Sequence, residues 1–225
     1  MLFPRHCPLC HMILKDQGRV LCPECEKELR PLGGPRCMKC GKPVAPEAEF
    51  CKECSARPRH FTQGKSIFLY DEKMKVSLIK YKYFGCREYG DFYSRALAVF
   101  SRKELDRWAP DLIVPVPLHR RKQRMRGFNQ SAYLAAHVSK LTGIPWDNTL
   151  VRKIHPTKSQ KKLTAVQRRK NLQEAFRVER RVDGLKILVI DDVYTTGSTV
   201  DAMAACLKEM GAEKVYFLTV CSGQI

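Results

Sequence analysis

The chain has 225 residues, of which 44% are hydrophobic and 28% are charged. These fractions are typical of a folded globular protein and exclude a largely disordered chain. The length allows two domains, or one domain with a small addition. No stretch approaches the roughly 18 uninterrupted apolar residues of a membrane-spanning helix, and no apolar leader precedes the first cysteines. We therefore expect a cytoplasmic protein without a transmembrane segment.

The net charge of +18 is concentrated in little more than a quarter of the chain. Residues 119–181 contain 17 Lys and Arg against 3 Asp and Glu, which gives this segment a net charge of +14. A positive field of this kind attracts polyanions such as nucleic acids, diphosphates or an acidic membrane surface. We expect an anionic ligand or partner to bind there. The alternative is a basic face that contacts only solvent.

The first 60 residues contain eight cysteines, arranged as four C-x-x-C pairs. Each half of the segment reads C-x-x-C, then a gap of 11 or 10 residues, then C-x-x-C. Two such pairs supply four thiolates to one tetrahedral zinc ion and leave no open position, so the sites are predicted to be structural. The predicted ligands of two zinc ions are Cys7, Cys10, Cys22, Cys25, Cys37, Cys40, Cys51 and Cys54. The alternatives are one central site formed by the second and third pairs, or redox-active dithiols.

The chain after residue 60 is predicted to be an α/β domain. Strands are expected at 66–70, 111–117, 186–190 and 215–220, alternating with helices at 73–83, within 88–108, at 129–141 and at 198–210. A further short helix is expected to begin at 164–167. The expected buried helix residues are Met74, Leu78, Ile79, Phe92, Ala96, Val99 and Phe100.

This alternation implies a mostly parallel sheet that is covered by helices on both faces. We predict a double zinc ribbon over residues 1–60 and the α/β domain over residues 61–225.

One segment of the α/β domain indicates a phosphate site. Residues 187–199 read ILVIDDVYTTGST, so a buried strand is followed by two acids and then by a turn of small residues that begins a helix. Backbone N–H groups of such a turn bind phosphate, and two neighbouring carboxylates accept hydrogen bonds from a vicinal diol. Together these features describe a site for a ribose 5-phosphate. The predicted catalytic acids are Asp191 and Asp192, and the predicted phosphate-binding residues are Thr195, Thr196, Gly197, Ser198 and Thr199.

Two alternative roles fit this segment less well. A Walker-type or dinucleotide-binding loop does not fit, because the segment has neither GK[ST] nor G-x-G-x-x-G. A solvated helix cap would leave the acid pair without a role.

The segment resembles the phosphoribosyl-diphosphate (PRPP) motif of type I phosphoribosyltransferases at all thirteen positions. Three further segments extend the resemblance: IKYKYFG at 79–85, R-x-R-G-F-N-Q at 124–130 and T-x-x-Q-x-x-L at 157–163. With the cysteine pairs, they are similar to the ComF family of double-zinc-ribbon proteins, named for competence in DNA uptake. The resemblance implies a type I phosphoribosyltransferase-like fold that binds PRPP with Mg²⁺.

The ComF resemblance also implies a role in handling incoming single-stranded DNA during transformation. It places the protein beside a DNA-translocating helicase, at the inner face of the membrane with the uptake machinery. By position, the loop that grips pyrophosphate comprises Pro117, Leu118, His119 and Arg120, and the lid over 155–170 contributes Lys158 and Gln160.

The remaining cations of the basic segment are expected to bind nucleic acid. They are Arg121, Lys122, Arg124, Arg126, Lys161, Lys162, Arg168 and Arg169. Phe128 and Tyr133 are candidates for stacking on bases, with burial in the core as the alternative.

Three functions remain open from the sequence. The first is a PRPP-binding protein that handles DNA, and the second is a nucleobase-salvage phosphoribosyltransferase that releases pyrophosphate. The third is a regulator that senses PRPP and uses its zinc ribbons to dock a partner. We expect a phosphoribosyltransferase with an unknown acceptor, because no set of side chains indicates a purine or pyrimidine pocket.

Overall fold

The computed structural model of the protein describes residues 4–154 and 175–223. The main sheet has four parallel strands in the order β1-β6-β5-β2. These strands are β1 (Gln63–Leu69), β2 (Leu112–Pro115), β5 (Lys186–Tyr194) and β6 (Lys214–Ser222). The two remaining strands, β3 (Val151–Lys153) and β4 (Phe176–Val178), form a separate antiparallel pair.

The helices of the described residues connect the strands and cover the sheet. They are α1 (Pro23–Glu28), α2 (Lys52–Ser55), α3 (Glu72–Tyr83), α4 (Tyr89–Phe100), α5 (Arg102–Trp108), α6 (Arg120–Arg126), α7 (Gln130–Thr142) and α8 (Ser198–Glu209). Local chemistry sets several ends: the Asp71 side chain caps α3 by accepting from Met74 N at 2.8 Å, and Gly143 ends α7 with a φ of 76°.

The two faces of the sheet contribute to two separate cores. In β5, Leu188 and Ile190 pack into the first core, with residues of α3, α4, α5 and α7. Ile187 and Val189 point the other way into the second core, with α8 and the β3–β4 pair. This alternation follows from the two-residue period of a strand. The predicted α/β sheet with helices on both faces is therefore confirmed.

The cysteine-rich residues at the N-terminus pack against both faces of the sheet. Cys7, Leu14 and Leu21 belong to the first core, whereas Cys37 and Cys40 belong to the second. We call the segment with Cys7, Cys10, Cys22 and Cys25 the first ribbon, and the segment with Cys37, Cys40, Cys51 and Cys54 the second ribbon. Each ribbon therefore has its own face of the sheet.

Two residues that were expected to be buried in helices are exposed. Ile79 is 38% exposed, because the buried face of α3 comprises Met74, Ser77, Leu78 and Tyr81. These positions follow helical spacing and leave residue 79 on the neighbouring face. In α4, Val99 likewise lies outside the buried face of the helix and is 67% exposed.

The boundaries of several predicted elements also differ from the structure; β1, for example, begins at Gln63 rather than at residue 66. The single helix expected within 88–108 is divided at Ser101 into α4 and α5. Strand β5 does not end at Ile190 but continues to Tyr194, because its pairing with β6 extends to Tyr194 and Ser222. The acid pair therefore lies within the strand rather than after it.

The helix start expected at 164–167 and the lid at 155–170 lie outside the described residues. Within the ranges that are described, no helix is both long and apolar enough to cross a membrane.

Candidate functional site

The acid pair and the loop that follows β2 lie side by side at the carboxyl edge of the sheet. Val116 N donates to the carbonyl of Ile190 at 2.9 Å, so the loop starts next to Asp191. Asn129 Nδ2 donates to the carbonyl of Val116 at 3.1 Å and holds the loop against the start of α7. Ligands of open α/β sheets bind at this edge.

Asp192 is held in its ionised form by a lysine from α3. Its side chain is buried and forms an ion pair with Lys82 Nζ. Burial opposes ionisation of Asp192, but the charge and hydrogen bond of Lys82 outweigh it, so the pKa of Asp192 is lowered. Burial acts against the charge of Lys82 as well, yet the neighbouring Asp192 raises the pKa of Lys82. The two groups therefore form a buried salt bridge.

Asp191 has a different environment from its neighbour. It accepts hydrogen bonds from Ser131 Oγ at 2.8 Å and from Asp192 N at 2.9 Å. Burial, together with the charge of Asp192, raises the pKa of Asp191 to about 7. One carboxyl is thus ionised throughout the neutral range while the other titrates within it, a separation that is common at functional sites.

The turn from Thr195 to Thr199 connects β5 to helix α8 and carries several hydroxyl groups. Gly197 has a φ of 73°, and a Cβ atom there would lie 2.3 Å from the hydroxyl of Tyr194, so only glycine fits. Thr195 and Thr196 are exposed. The hydroxyls of Thr196 and Ser198 lie 2.9 Å apart at the start of α8. Backbone N–H groups and hydroxyls therefore converge at the start of a 12-residue helix.

A buried arginine, Arg59, contacts the backbone of this turn. Arg59 Nη2 donates to the carbonyl of Thr196 at 3.2 Å and to the carbonyl of Glu53 in the second ribbon at 3.4 Å. Its Nη1 lies 3.7 Å from Asp201 Oδ2 in the first turn of α8. The C=O and N–H of one trans peptide point in opposite directions. A Thr196 carbonyl that faces Arg59 therefore turns the N–H of Gly197 away from Arg59.

A basic cavity of about 520 Å³ adjoins the loop that follows β2. The predicted pyrophosphate loop lines one wall, with Pro117, Leu118, His119 and Arg120. Arg152, Lys153 and Arg177 of the β3–β4 pair line another, and none of the described lining residues is acidic. Burial, with a smaller contribution from the nearby charge of Lys122, lowers the pKa of Lys153. Cations that are crowded in this way can be neutralised by a diphosphate.

The predicted nucleic-acid residues are only partly described. Arg121, Lys122 and Arg124 lie exposed on α6, whereas Arg126 is half-buried and donates to Gln130 Oε1 and to the hydroxyl of Tyr83. The other predicted residues of the lid and the patch lie outside the described residues: Lys158, Gln160, Lys161, Lys162, Arg168 and Arg169.

The cysteines form the two clusters that tandem ribbons require. The sulfur atoms of Cys7, Cys10, Cys22 and Cys25 all lie within 4.8 Å of one another, and so do those of Cys37, Cys40, Cys51 and Cys54. Neighbouring sulfurs are 3.7 Å apart in the first cluster and 3.5 Å apart in the second. A zinc tetrahedron with bonds of ~2.3 Å has edges of about 3.8 Å, so both clusters fit structural zinc. The tandem pairing is confirmed, and the pairing through one central site is wrong.

Sequence reasoning missed several residues that surround the site. Lys82 follows Met74 and Leu78 at intervals of four residues on α3, and a lysine on a buried helical face signals a buried acidic partner. Ser131, Arg152, Lys153 and Arg177 carry no comparable signal, because their roles depend on which elements meet in space. Arg59 lies in the segment that follows the last cysteine pair, where no motif marks it.

Comparisons with known proteins agree with this architecture. The double zinc ribbon domain family matches residues 1–55, and the phosphoribosyl transferase domain family matches residues 129–224. The chain is 32% identical to "DNA utilization protein YhgH" of Salmonella typhimurium over 182 residues, which cover 80% of each chain.

Two other proteins are similar over shorter stretches. "Competence protein ComFC" of Bacillus subtilis is 32% identical over 152 residues, which cover 66% of this chain and 59% of that protein. Among solved structures, a glutamine PRPP amidotransferase from B. subtilis has a TM-score of 0.44 and 18% identity, with 63% of this chain and 30% of that chain covered. The extent of the first match, together with both domain matches, shows that the chain belongs to the ComF family, whose members combine a double zinc ribbon with a phosphoribosyltransferase domain.

Proposed function

We propose that this protein binds PRPP at the carboxyl edge of its sheet and handles incoming single-stranded DNA in natural competence. One observation carries the PRPP site: the acid pair, the Thr195–Thr199 turn and the basic cavity surround the carboxyl edge of the same sheet. A ribose diol, a 5′-phosphate and a diphosphate are the three groups that these features would bind.

In this proposal each part of PRPP has its own residues. Asp191 and Asp192 accept hydrogen bonds from the ribose hydroxyls, and the turn binds the 5′-phosphate. The diphosphate occupies the basic cavity beside His119, Arg120 and Lys153, accompanied by Mg²⁺, which neutralises part of its charge. We propose that Lys158 and Gln160 also bind the diphosphate.

Charge and relatives support the DNA-handling part. Helix α6 presents Arg121, Lys122 and Arg124 on its exposed surface and contains no acidic residue. The relatives carry the names "DNA utilization protein" and "Competence protein". We infer that α6 binds the phosphates of single-stranded DNA, beside a helicase of the uptake machinery at the inner face of the membrane. We propose that Lys161, Lys162, Arg168 and Arg169 bind the same nucleic acid.

We also propose a division into a zinc-ribbon module over residues 1–60 and a phosphoribosyltransferase-like domain over residues 61–225. The start of β1 at Gln63 supports this boundary.

Binding of fluorescent single-stranded DNA, measured by anisotropy with and without Mg²⁺–PRPP, tests the DNA part of the proposal. We expect DNA affinity that weakens with rising salt, because counterions are released from the phosphates. Asp191→Asn/Asp192→Asn should abolish PRPP binding and leave DNA affinity equal or slightly higher. Since that pair of changes leaves Lys82 buried without its partner, Asp191→Asn alone serves as the milder variant. Loss of DNA binding by a folded acid variant would refute separate sites.

Pyrophosphate release from Mg²⁺–PRPP, measured with a nucleobase pool and then with single-stranded DNA, distinguishes the proposal from salvage chemistry. Release that depends on one nucleobase would identify a salvage-type enzyme and make DNA binding secondary. PRPP binding without release would favour DNA handling or PRPP sensing.

A further inference from the structure

Two consecutive aromatic residues at the end of α3 are exposed, and the first of them contacts the basic helix α6 through Arg126. Tyr83 is 54% exposed and Phe84 is 70% exposed. Large aromatic side chains usually bury their rings, because each ring removes much apolar surface from water. Exposure of two neighbouring rings therefore points to a use for them at the surface.

The first of these rings is held in place by an arginine. The guanidinium of Arg126 lies 4.6 Å from the centroid of the Tyr83 ring, and its Nη2 donates to the Tyr83 hydroxyl at 2.6 Å. Gln130 Oε1 accepts from Arg126 Nη1 at 2.9 Å and so fixes the arginine in turn. An exposed ring that is already ordered loses little conformational entropy when a ligand stacks on it.

The helix that contacts Tyr83 is strongly cationic. Helix α6 has the sequence RRKQRMR and contains no acidic residue. Arg124 is exposed on it, and Met125 adds an apolar side chain that is 71% exposed. Cations that contact phosphates, combined with aromatic rings on which bases stack, are the combination by which proteins bind single-stranded nucleic acid.

The two aromatic residues that the sequence suggested for stacking are engaged elsewhere. Phe128 makes an edge contact with Tyr81 at 5.4 Å, and the guanidinium of Arg87 lies 4.8 Å above its ring. Tyr133 is stacked on His137 at 4.1 Å, and its hydroxyl donates to Asp91 Oδ1 at 2.7 Å. The rings of Phe128 and Tyr133 are thus packed against the protein itself.

We propose that Tyr83 and Phe84 form a stacking platform for the bases of single-stranded DNA, with the arginines of α6 bound to its phosphates. This inference rests on the proposed DNA-handling function and names the surface that performs it. An acidic protein segment would use the cations but would leave the two rings without a stacking partner. The platform lies next to the acid pair, because Lys82 points inward to Asp192 while Tyr83, the next residue, points outward.

The test compares oligo-dT with an abasic strand of the same length, which has the same phosphates but no bases. The zinc-loaded full chain should bind oligo-dT more tightly than the abasic strand. Phe84→Ala should weaken oligo-dT binding about 5-fold to 100-fold and leave binding of the abasic strand unchanged. Phe84→Leu should lose nearly as much as Phe84→Ala, whereas Phe84→Trp should retain the affinity, because only an aromatic ring offers a face for stacking.

Two further variants serve as references. Val99→Ser removes a comparably exposed apolar residue from α4 and should change neither affinity. Arg124→Ala should weaken binding of both strands alike. It should also reduce the salt dependence of the affinity by about one phosphate contact.

If Phe84→Ala weakens binding of both strands equally, or of neither, the stacking platform is wrong. DNA binding by the wild-type protein would in that case still support the proposed function. Failure of the wild-type protein to bind either strand would reject the proposed function itself.

Discussion

The two zinc ribbons have nearly the same cysteine spacing but support different parts of the candidate site. The first ribbon shares its core with α3 and α7, which supply Lys82 and Ser131 to the acid pair. The second ribbon packs on the opposite face, where Arg59 connects it to the Thr195–Thr199 turn. An internal repeat in the sequence therefore does not imply a repeated role.

Tyr194 also connects the second ribbon with the Thr195–Thr199 turn. This ring is stacked on Phe217 at 4.8 Å, and Lys42 of the second ribbon lies 5.8 Å from its centroid. The hydroxyl of Tyr194 lies 2.3 Å from the position that a Cβ atom of residue 197 would occupy, so it packs closely against Gly197. The shape of the Thr195–Thr199 turn therefore depends on the second ribbon, whereas no hydrogen bond or ring contact among the described residues joins the first ribbon to this turn.

The largest expected effect comes from loss of the second zinc ion. Elemental analysis should find about two zinc ions per chain. Cys40→Ser should remove one ion, unfold the support of the turn and lower affinity for PRPP by at least about 100-fold, since structural zinc supplies much of the folding energy of a ribbon. Cys7→Ser, at a first-site ligand that is as buried as Cys40, is the matched control and should affect PRPP binding less. Equal losses in the two variants would remove the distinction between the ribbons.

The next largest effect concerns the acid pair on the first-ribbon side. Lys82→Met leaves Asp192 buried without its partner and should lower the free energy of unfolding by about 3–5 kcal/mol. The double change Lys82→Met/Asp192→Asn removes both charges and should recover most of that stability. Denaturant unfolding of both variants measures this difference. Two variants of equal stability would show that the ion pair is unimportant for folding.

A smaller effect is expected at Arg59. Arg59→Met removes the donor to the Thr196 carbonyl and should weaken binding of ribose 5-phosphate by about 10-fold to 100-fold, corresponding to ~1.5–3 kcal/mol for a hydrogen bond from a charged group. Arg36→Met is the matched control, because Arg36 Nη1 donates to the carbonyl of Ser66 at 3.1 Å, away from the turn. Calorimetric titration of ribose 5-phosphate into each variant measures the difference in affinity between Arg59→Met and Arg36→Met. Added guanidinium should partly restore the affinity of Arg59→Gly for ribose 5-phosphate. An affinity lost through general destabilisation of the protein would not be restored.

The smallest expected effect is the pH dependence caused by Asp191. Its pKa is raised from 3.8 to about 7, so below pH 7 the folded protein holds a proton that the unfolded chain has lost. The stability that this proton contributes should fall as pH rises toward 7 and should level off above it. Ionisation also makes Asp191 a better acceptor for ribose hydroxyls, so affinity for the ribose should rise over the same range. Titrations from pH 6 to pH 8 should show both trends, with inorganic phosphate as the reference ligand. Asp191→Asn should remove both trends, and a variant that keeps them would assign the titration to another group.

Much of the fold could be predicted because its signals are local. Apolar strands such as 186–190, the glycine that ends α7 and the cysteine spacing each determine structure within a few residues. The turn from Thr195 to Thr199 could be located for the same reason, since Asp191 to Thr199 are contiguous in the sequence. Errors arose where neighbours in space decide the outcome: the length of β5 depends on pairing with β6, and the exposure of Ile79 depends on the packing of α3.

The supporting residues of the site could not be predicted for the same physical reason. Lys82 and Asp192 are 110 residues apart in sequence, and Arg59 and Thr196 are separated by 137 residues. Neither pair is marked by spacing or composition. Only Lys82 is indicated by the sequence, because it is a charged residue on the buried face of a predicted helix.

Calorimetric titration of Mg²⁺–PRPP into the zinc-loaded full chain tests the proposed PRPP site most directly. We predict one PRPP bound per chain for the wild-type protein and for Arg36→Met. Binding should be weakened for Arg59→Met and undetectable for Asp191→Asn/Asp192→Asn, with zinc content and circular dichroism confirming that each variant is folded. PRPP binding of equal affinity in all four proteins would contradict a site built from the acid pair and the turn that the second ribbon supports.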